Sequence, residues 1–271
     1  MLTTVAFAAL WISVASCGGG SSSNTSKGGS SPANNGATAS RLHVVALGDS
    51  ETTGSGDSTG VGWVGRYASL LQTKLGLKLS VSNLAQDGKT SGDLLSDLRN
   101  DANTRAQVQG AEIVLFGIGG ADLNAGDDSF QAGKCRAEAC YAPVLKSFAR
   151  NFDASVAAVR ELRGSQKTVL RSITQPNVLT GAEDVSPPFL RRISTRIGVY
   201  QARNANRAIC RSMTKYDGRC IDVLHAFNGP AGTADAYKKG LLNHEDCCYP
   251  NAKGQQLMAD LLLKTGLAPI R

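Results

Sequence analysis

The chain has 271 residues, 42% hydrophobic and 19% charged, which makes its body globular rather than disordered. Its formal charge of +7, from 29 basic and 22 acidic residues, favours anionic surroundings such as lipid headgroups or acidic polymers. Aromatic residues are only 6%, with no interleaving of basic and aromatic side chains, so nucleic-acid binding is not expected.

The first stretch, MLTTVAFAALWISVASC, is apolar, too short for a comfortable membrane span, and ends in small residues as an export signal does. It contains no Lys or Arg. Its end, Val14-Ala15-Ser16-Cys17, resembles a bacterial lipobox, which implies cleavage after residue 16 and a lipid on Cys17. The alternative is an ordinary signal peptide with an unrelated cysteine. Residues 18–40 hold almost nothing that could be buried and read as a flexible Gly/Ser tether. The expected organisation is therefore a signal over 1–16, a lipidated cysteine and tether over 17–40, and a folded domain over 41–271. Such a chain would be exported, either held in the cell envelope with the membrane as a partner through its anchor or secreted. A domain of about 230 residues suffices for one α/β core but not for two large ones. A monomer is expected.

Within the domain, RLHVVALGDS is a short apolar run with β-branched valines that ends in a glycine turn, as a buried first strand would. VGWVGRYASLLQTKLG follows with Trp63, Val64, Tyr67, Leu70 and Leu71 at helical spacing, closed by Gly76. LKLSVSN alternates like a strand, AEIVLFGIGG is a fully apolar strand, and FARNFDASVAAVRELRG is an amphipathic helix. The strand KTVLRSI, a long helix within 189–214, the strand RCIDVL and a last helix NAKGQQLMADLLLKTG complete the run. Strands alternating with helices predict a parallel sheet covered on both faces, with ligands at the carboxyl ends of its strands. The long helix carries Arg192, Arg196, Arg203 and Arg207 within about 60° on a helical wheel. That stripe reads as a solvated face or as a contact for an anionic surface.

With Cys17 assigned to lipid, six cysteines remain, and an even number in an exported chain predicts disulfides. Six allow fifteen pairings. Cys135 with Cys140 and Cys210 with Cys220 would each close a short loop, leaving Cys247 and Cys248 to bridge each other. A zinc site is the competitor, but the chain has three histidines and no C-x-x-C pair, and no metal is expected. No cofactor is expected either, since there is neither a Walker loop nor a G-x-G-x-x-G pattern.

Four segments carry candidate chemistry. At the end of the first strand stands Gly48-Asp49-Ser50, where a serine entering a glycine-rich loop is open to a substrate. The bland alternative is a turn whose Asp and Ser bond locally. ALGDSETTGSG, NLAQDGKTS, GIGGADL and EDCCYPNAKGQQLMADLL resemble, in order, the four motif blocks of the SGNH/GDSL hydrolases, across residues 41 to 266. The resemblance implies a three-layer α/β/α, flavodoxin-like fold and an esterase or lipase. Its substrate would be an acyl or acetyl ester of a lipid, glycan or small molecule. It implies that Ser50 is the nucleophile and that the N–H groups of Ser50 and Gly88 hold the oxyanion.

Two positions depart from the family. In the third block Gly119-Gly120-Ala121-Asp122 places alanine where an asparagine donates to the oxyanion, and Asn124 is the neighbour that could substitute. A lost oxyanion donor costs on the order of 10² to 10³ in turnover. In the last block Asp246-Cys247-Cys248-Tyr249-Pro250 keeps the aspartate and puts Tyr249 at the position of the histidine base. A protonated phenol of pKa about 10 is a poor base at neutral pH. His244, upstream in the same loop, is the candidate base, with His225 the alternative. His43 starts the first strand, at the wrong end. The competing reading is an SGNH-fold binding or surface protein that has lost its catalysis.

Overall fold

Five short segments form the strands: β1 (Leu42–Gly48), β2 (Leu79–Asn83), β3 (Ile113–Gly117), β4 (Val169–Ile173) and β5 (Arg219–Ile221). The structure, a computed structural model, describes residues 42–181, 195–245 and 248–270. Cys17, the tether, Arg192, Asp246 and Cys247 lie outside the described residues. All five strands pair in parallel, in the order β2-β1-β3-β4-β5. Every residue of β3 and β4 is buried, as both faces of the sheet are covered.

Helices fill every crossover. After β1 come α1 (Ser50–Thr53) and α2 (Gly62–Leu75), and after β2 come α3 (Ser91–Asn100) and α4 (Ala102–Gln109). α5 (Gly120–Gln131) and α6 (Ala142–Arg163) follow β3, α7 (Thr195–Lys215) follows β4, and α8 (Val223–Asn228) and α9 (Ala252–Lys264) follow β5. On one face Trp63 and Tyr67 of α2 pack with Met258 and Leu262 of α9. On the other, Phe148, Phe152 and Val156 of α6 pack with Ile209 of α7. The expected three-layer, flavodoxin-like arrangement is the one observed.

The differences from expectation are local. RCIDVL is strand only to Ile221, because the Asp222 carboxylate accepts from His225 N and caps α8. α3, α4 and α5 carry too few apolar residues to have been predicted. The arginine stripe is divided: Arg196 pairs with Glu138 at 2.7 Å, Arg203 donates to Ala231 O at 3.0 Å, and Arg207 lines a groove between α6 and α7. Both short disulfides are present, Cys135–Cys140 and Cys210–Cys220, with Cα separations of 5.3 and 5.1 Å. Cys248 is disulfide-bonded as well.

The topology places a crevice where β1 and β3, side by side, send their chains to opposite sides of the sheet. Gly48 pairs with Gly117 there. A Cβ on Gly48 would stand 2.1 Å from Gly117 O, and one on Gly117 would stand 2.2 Å from Thr52 Oγ1. Thr52 Oγ1 donates to Gly117 O at 2.6 Å, so α1 is latched to the end of β3. Gly117→Ala should therefore cost about 1–3 kcal/mol through overpacking. Urea unfolding checks this, and a wild-type midpoint would contradict the close approach.

Candidate active site

The turn after β1 is held by Asp49. Its side chain is 1% exposed and caps α1, Oδ1 accepting from Glu51 N at 3.2 Å. Oδ2 reaches across the crevice and accepts from Gly119 N and Gly120 N, both at 2.9 Å. Asp49 thus joins the two strand-end turns rather than bonding only locally. Burial pushes its carboxyl up to about 6, against the pull of those backbone donors.

Ser50 follows at the first position of α1, half-buried, on a cavity of about 270 Å³. Gly88 lines the same cavity with φ of 75°, a left-handed conformation that a side chain would strain. Its loop is fixed by Gln86 N donating to Gly48 O at 3.1 Å and by Thr53 Oγ1 donating to Asp87 Oδ1 at 2.7 Å. Neither Ser50 N nor Gly88 N bonds another described residue. Two free backbone donors and a hydroxyl therefore share one cavity, the arrangement needed to hold an oxyanion beside a nucleophile.

Ala121 and Asn124 line the same cavity from α5, Asn124 being exposed with its side chain making no hydrogen bond to a described residue. Tyr249 and Pro250 close it from the far side. That side is well anchored: Asn243 N donates to Tyr249 O at 2.8 Å, and Asn251 caps α9 while donating to Gly240 O and Leu242 O. Gln255, fully buried, accepts from Trp63 N at 2.8 Å and so ties α9 to α2.

The candidate bases are placed elsewhere. His244 is exposed, its ring 5.4 Å from that of Tyr237, and it does not line the cavity. His225 is also exposed and does not line it. Its Nδ1 lies 2.5 Å from Asp222 Oδ2, a D-x-x-H pair that serves as the cap of α8. His43, at the start of β1, bonds Ser82 Oγ at 3.0 Å. Asp246 lies outside the described residues. Among the described residues no group of three His, Cys, Asp or Glu could hold a metal ion.

Compared with known proteins, residues 46–257 match the GDSL-like lipase/acylhydrolase family. The chain belongs to that family. It is 28% identical over 247 residues to the uncharacterized protein YpmR of Bacillus subtilis (strain 168), covering 87% of this chain and 85% of that one. Its fold is similar to that of the lipase Lip_vut3 from a goat rumen metagenome, with a TM-score of 0.70 at 20% identity, covering 85% of this chain and 100% of that one. It is also similar to Axe2, an acetyl-xylooligosaccharide esterase from Geobacillus stearothermophilus, with a TM-score of 0.56 at 19% identity over 82% and 93% of the chains. Ester hydrolysis is the chemistry of this GDSL family.

Against the GDSL frame, the residue that sequence reasoning missed is Glu51. It is 8% exposed, lines the cavity beside Ser50 and makes no side-chain hydrogen bond to a described residue. Burial first, and then the nearby Asp49 carboxylate, push it up to about 8. Its signal was available: a charged residue directly after the serine, in a segment entering the core. Both carboxyls bind protons more tightly in the folded than in the unfolded chain. Stability therefore falls as pH rises from the ordinary carboxyl range through about 6 and about 8. Glu51→Gln removes the larger part of that loss. Its melting temperature should gain on wild type between pH 5 and pH 8, at about 2–4 °C per kcal/mol. A difference that stays constant across that range would contradict a neutral, buried Glu51.

Proposed function

We propose that the chain is an exported, lipid-anchored ester hydrolase in which Ser50 attacks short acyl esters, acetyl esters of glycans or small molecules above all. The observation that carries this reading is the joint presence of Ser50 and the free N–H groups of Ser50 and Gly88 on one cavity. A cavity of about 270 Å³ lies just below the usual range for small-molecule sites, which suits a short acyl group better than a long one. The activity named for Axe2 is of the same kind. In this reading Cys17 carries the lipid and residues 18–40 let the domain reach substrate away from the membrane surface.

The reaction runs in two halves. Ser50 Oγ attacks the ester carbonyl and gives up its proton, and the oxyanion accepts from Ser50 N and Gly88 N, with Asn124 taking the part of the absent asparagine. Collapse expels the alcohol with a proton and leaves an acyl-serine, which water cleaves to acid and free Ser50. The base is His244, brought to Ser50 by movement of the loop it shares with Tyr249, or else His225. Asp49 and Glu51 are described lining groups whose carboxyls could exchange a proton near neutral pH in their place.

Short-chain ester turnover should vanish in Ser50→Ala and fall by about 10² or more in the variant that lacks the base, His244→Ala, His225→Ala or Glu51→Gln. Tyr249→Phe should change it far less. A second reading, a binding protein on the same frame, is favoured by the absence of a histidine from the cavity wall and by Ala121. It requires wild type and all variants to match the buffer blank. Tyr249→His with Ala121→Asn should then restore Ser50-dependent hydrolysis. For the anchor, the mature protein should partition into detergent and Cys17→Ser should release it. A soluble protein with another N-terminus would contradict the lipid assignment.

A further inference from the structure

The cavity continues beyond its reactive end along α5. Gly120, Asn124 and Asp127 follow at three- and four-residue spacing and line one wall. Seven residues of helix place Asp127 about 10 Å along the axis from Gly120. There the wall is built from parts outside the four motif segments. Tyr141, fully buried, donates its hydroxyl to Asp127 Oδ1 at 2.6 Å. Its ring lies over Gly126, where a Cβ would stand 2.3 Å from it. The Cys135–Cys140 disulfide closes the chain just before Tyr141, and α6 begins just after it.

From the facing helix α7 comes Gln201, 6% exposed and also lining the cavity. Its Nε2 is buried and has no hydrogen-bond partner among the described residues. Gln201 stands close enough to Asp127 to favour its carboxylate, although the two are not in hydrogen-bond geometry. Asp127 Oδ2 takes no hydrogen bond from a described residue. Burial of this carboxyl holds it above the usual range, so a further donor would stabilise its charged form.

An unpartnered amide donor beside a half-free carboxylate is the complement of one chemical group. A hydroxyl accepts from the first and donates to the second, whereas an ammonium has only donors and a carboxylate only acceptors. We propose that Asp127 and Gln201 bind a hydroxyl on the alcohol part of the ester, so that the substrate class is an acylated sugar or polyol. The spacing from the oxyanion end, less the reach of the two side chains, suits a hydroxyl on the far side of a single six-membered ring. Asp127 and Gln201 thereby set specificity without touching the scissile bond. This inference rests on the ester-hydrolase reading for its catalytic readout and stands independently of it for binding.

The test uses the full chain and two acetyl esters of similar size, a monoacetylated methyl hexopyranoside and cyclohexyl acetate. Wild type should prefer the sugar ester. In Asp127→Asn and in Gln201→Leu the ratio of kcat/KM for the sugar ester over the cyclohexyl ester should fall about tenfold or more, mostly through KM. Calorimetric titration of Ser50→Ala with methyl hexopyranoside reads the same subsite without turnover, and adding Asp127→Asn should weaken binding by a similar factor. If Gln201→Leu lowers the melting temperature, Gln201→Glu replaces it, keeping the shape while exchanging the donor for an acceptor. A ratio that stays within twofold in both variants, or a Ser50→Ala protein that does not bind the glycoside, overturns the proposal. Glycoside binding without turnover of either ester would overturn the hydrolase reading and leave the hydroxyl site standing.

Discussion

The Asp49 carboxylate is the constraint on which the site depends. One oxygen holds the first turn of α1 and the other holds the first N–H groups at the start of α5, so the serine turn and the third motif segment are fixed by a single side chain. Its N–H donors come from backbone, which cannot move without moving the strand ends. The glycines at 48 and 117 permit that approach, and Thr52 locks it from α1. A charged donor partner would have lowered the carboxyl strongly. Backbone donors alone leave burial dominant, and the group stays poised near 6.

Electrostatically, the cavity runs against the rest of the molecule. A chain of net charge +7 lines this pocket with Asp49, Glu51 and Asp127 and no Lys or Arg among the described residues. Each of the three is raised by burial first. A negative substrate group gains nothing there, while neutral hydroxyl and ester groups do, because they can donate to or lie beside these carboxyls without adding charge. The same environment leaves Glu51 protonated at neutral pH, a state in which it can donate as well as accept.

Much of this was legible in the sequence where burial writes a period. β3 is a continuous apolar run, β1 and β4 are short strands rich in β-branched residues, and α2, α6, α7 and α9 carry apolar residues at helical spacing, so each was visible. α3 and α4 were not: α3 buries only Leu94 and Leu98 as apolar residues, and α4 only Val108. A capping box of Thr90 with Asp93 was the available signal for α3. α5 was hidden because its inner face is polar and small, with Asn124 and Asp127 toward the cavity and Gly126 beneath Tyr141. The motif order identified Ser50 and Gly88, since their spacing is local. Gln201 and Tyr141 could not be identified that way, because only tertiary packing brings α7 and the chain after the disulfide to the end of α5. The non-local reach of Asp49 to Gly119 and Gly120 was equally out of view.

The central proposal is that Ser50 is an activated nucleophile although no histidine lines its cavity. Labelling the purified protein with a fluorophosphonate probe, followed by peptide mapping, tests it most directly, because phosphonylation requires a serine that something has activated. The account predicts a single stoichiometric adduct on Ser50, abolished by prior acyl-ester inhibitor and absent in Ser50→Ala. An unlabelled Ser50 in folded protein, under conditions that label an ordinary serine esterase completely, would contradict it.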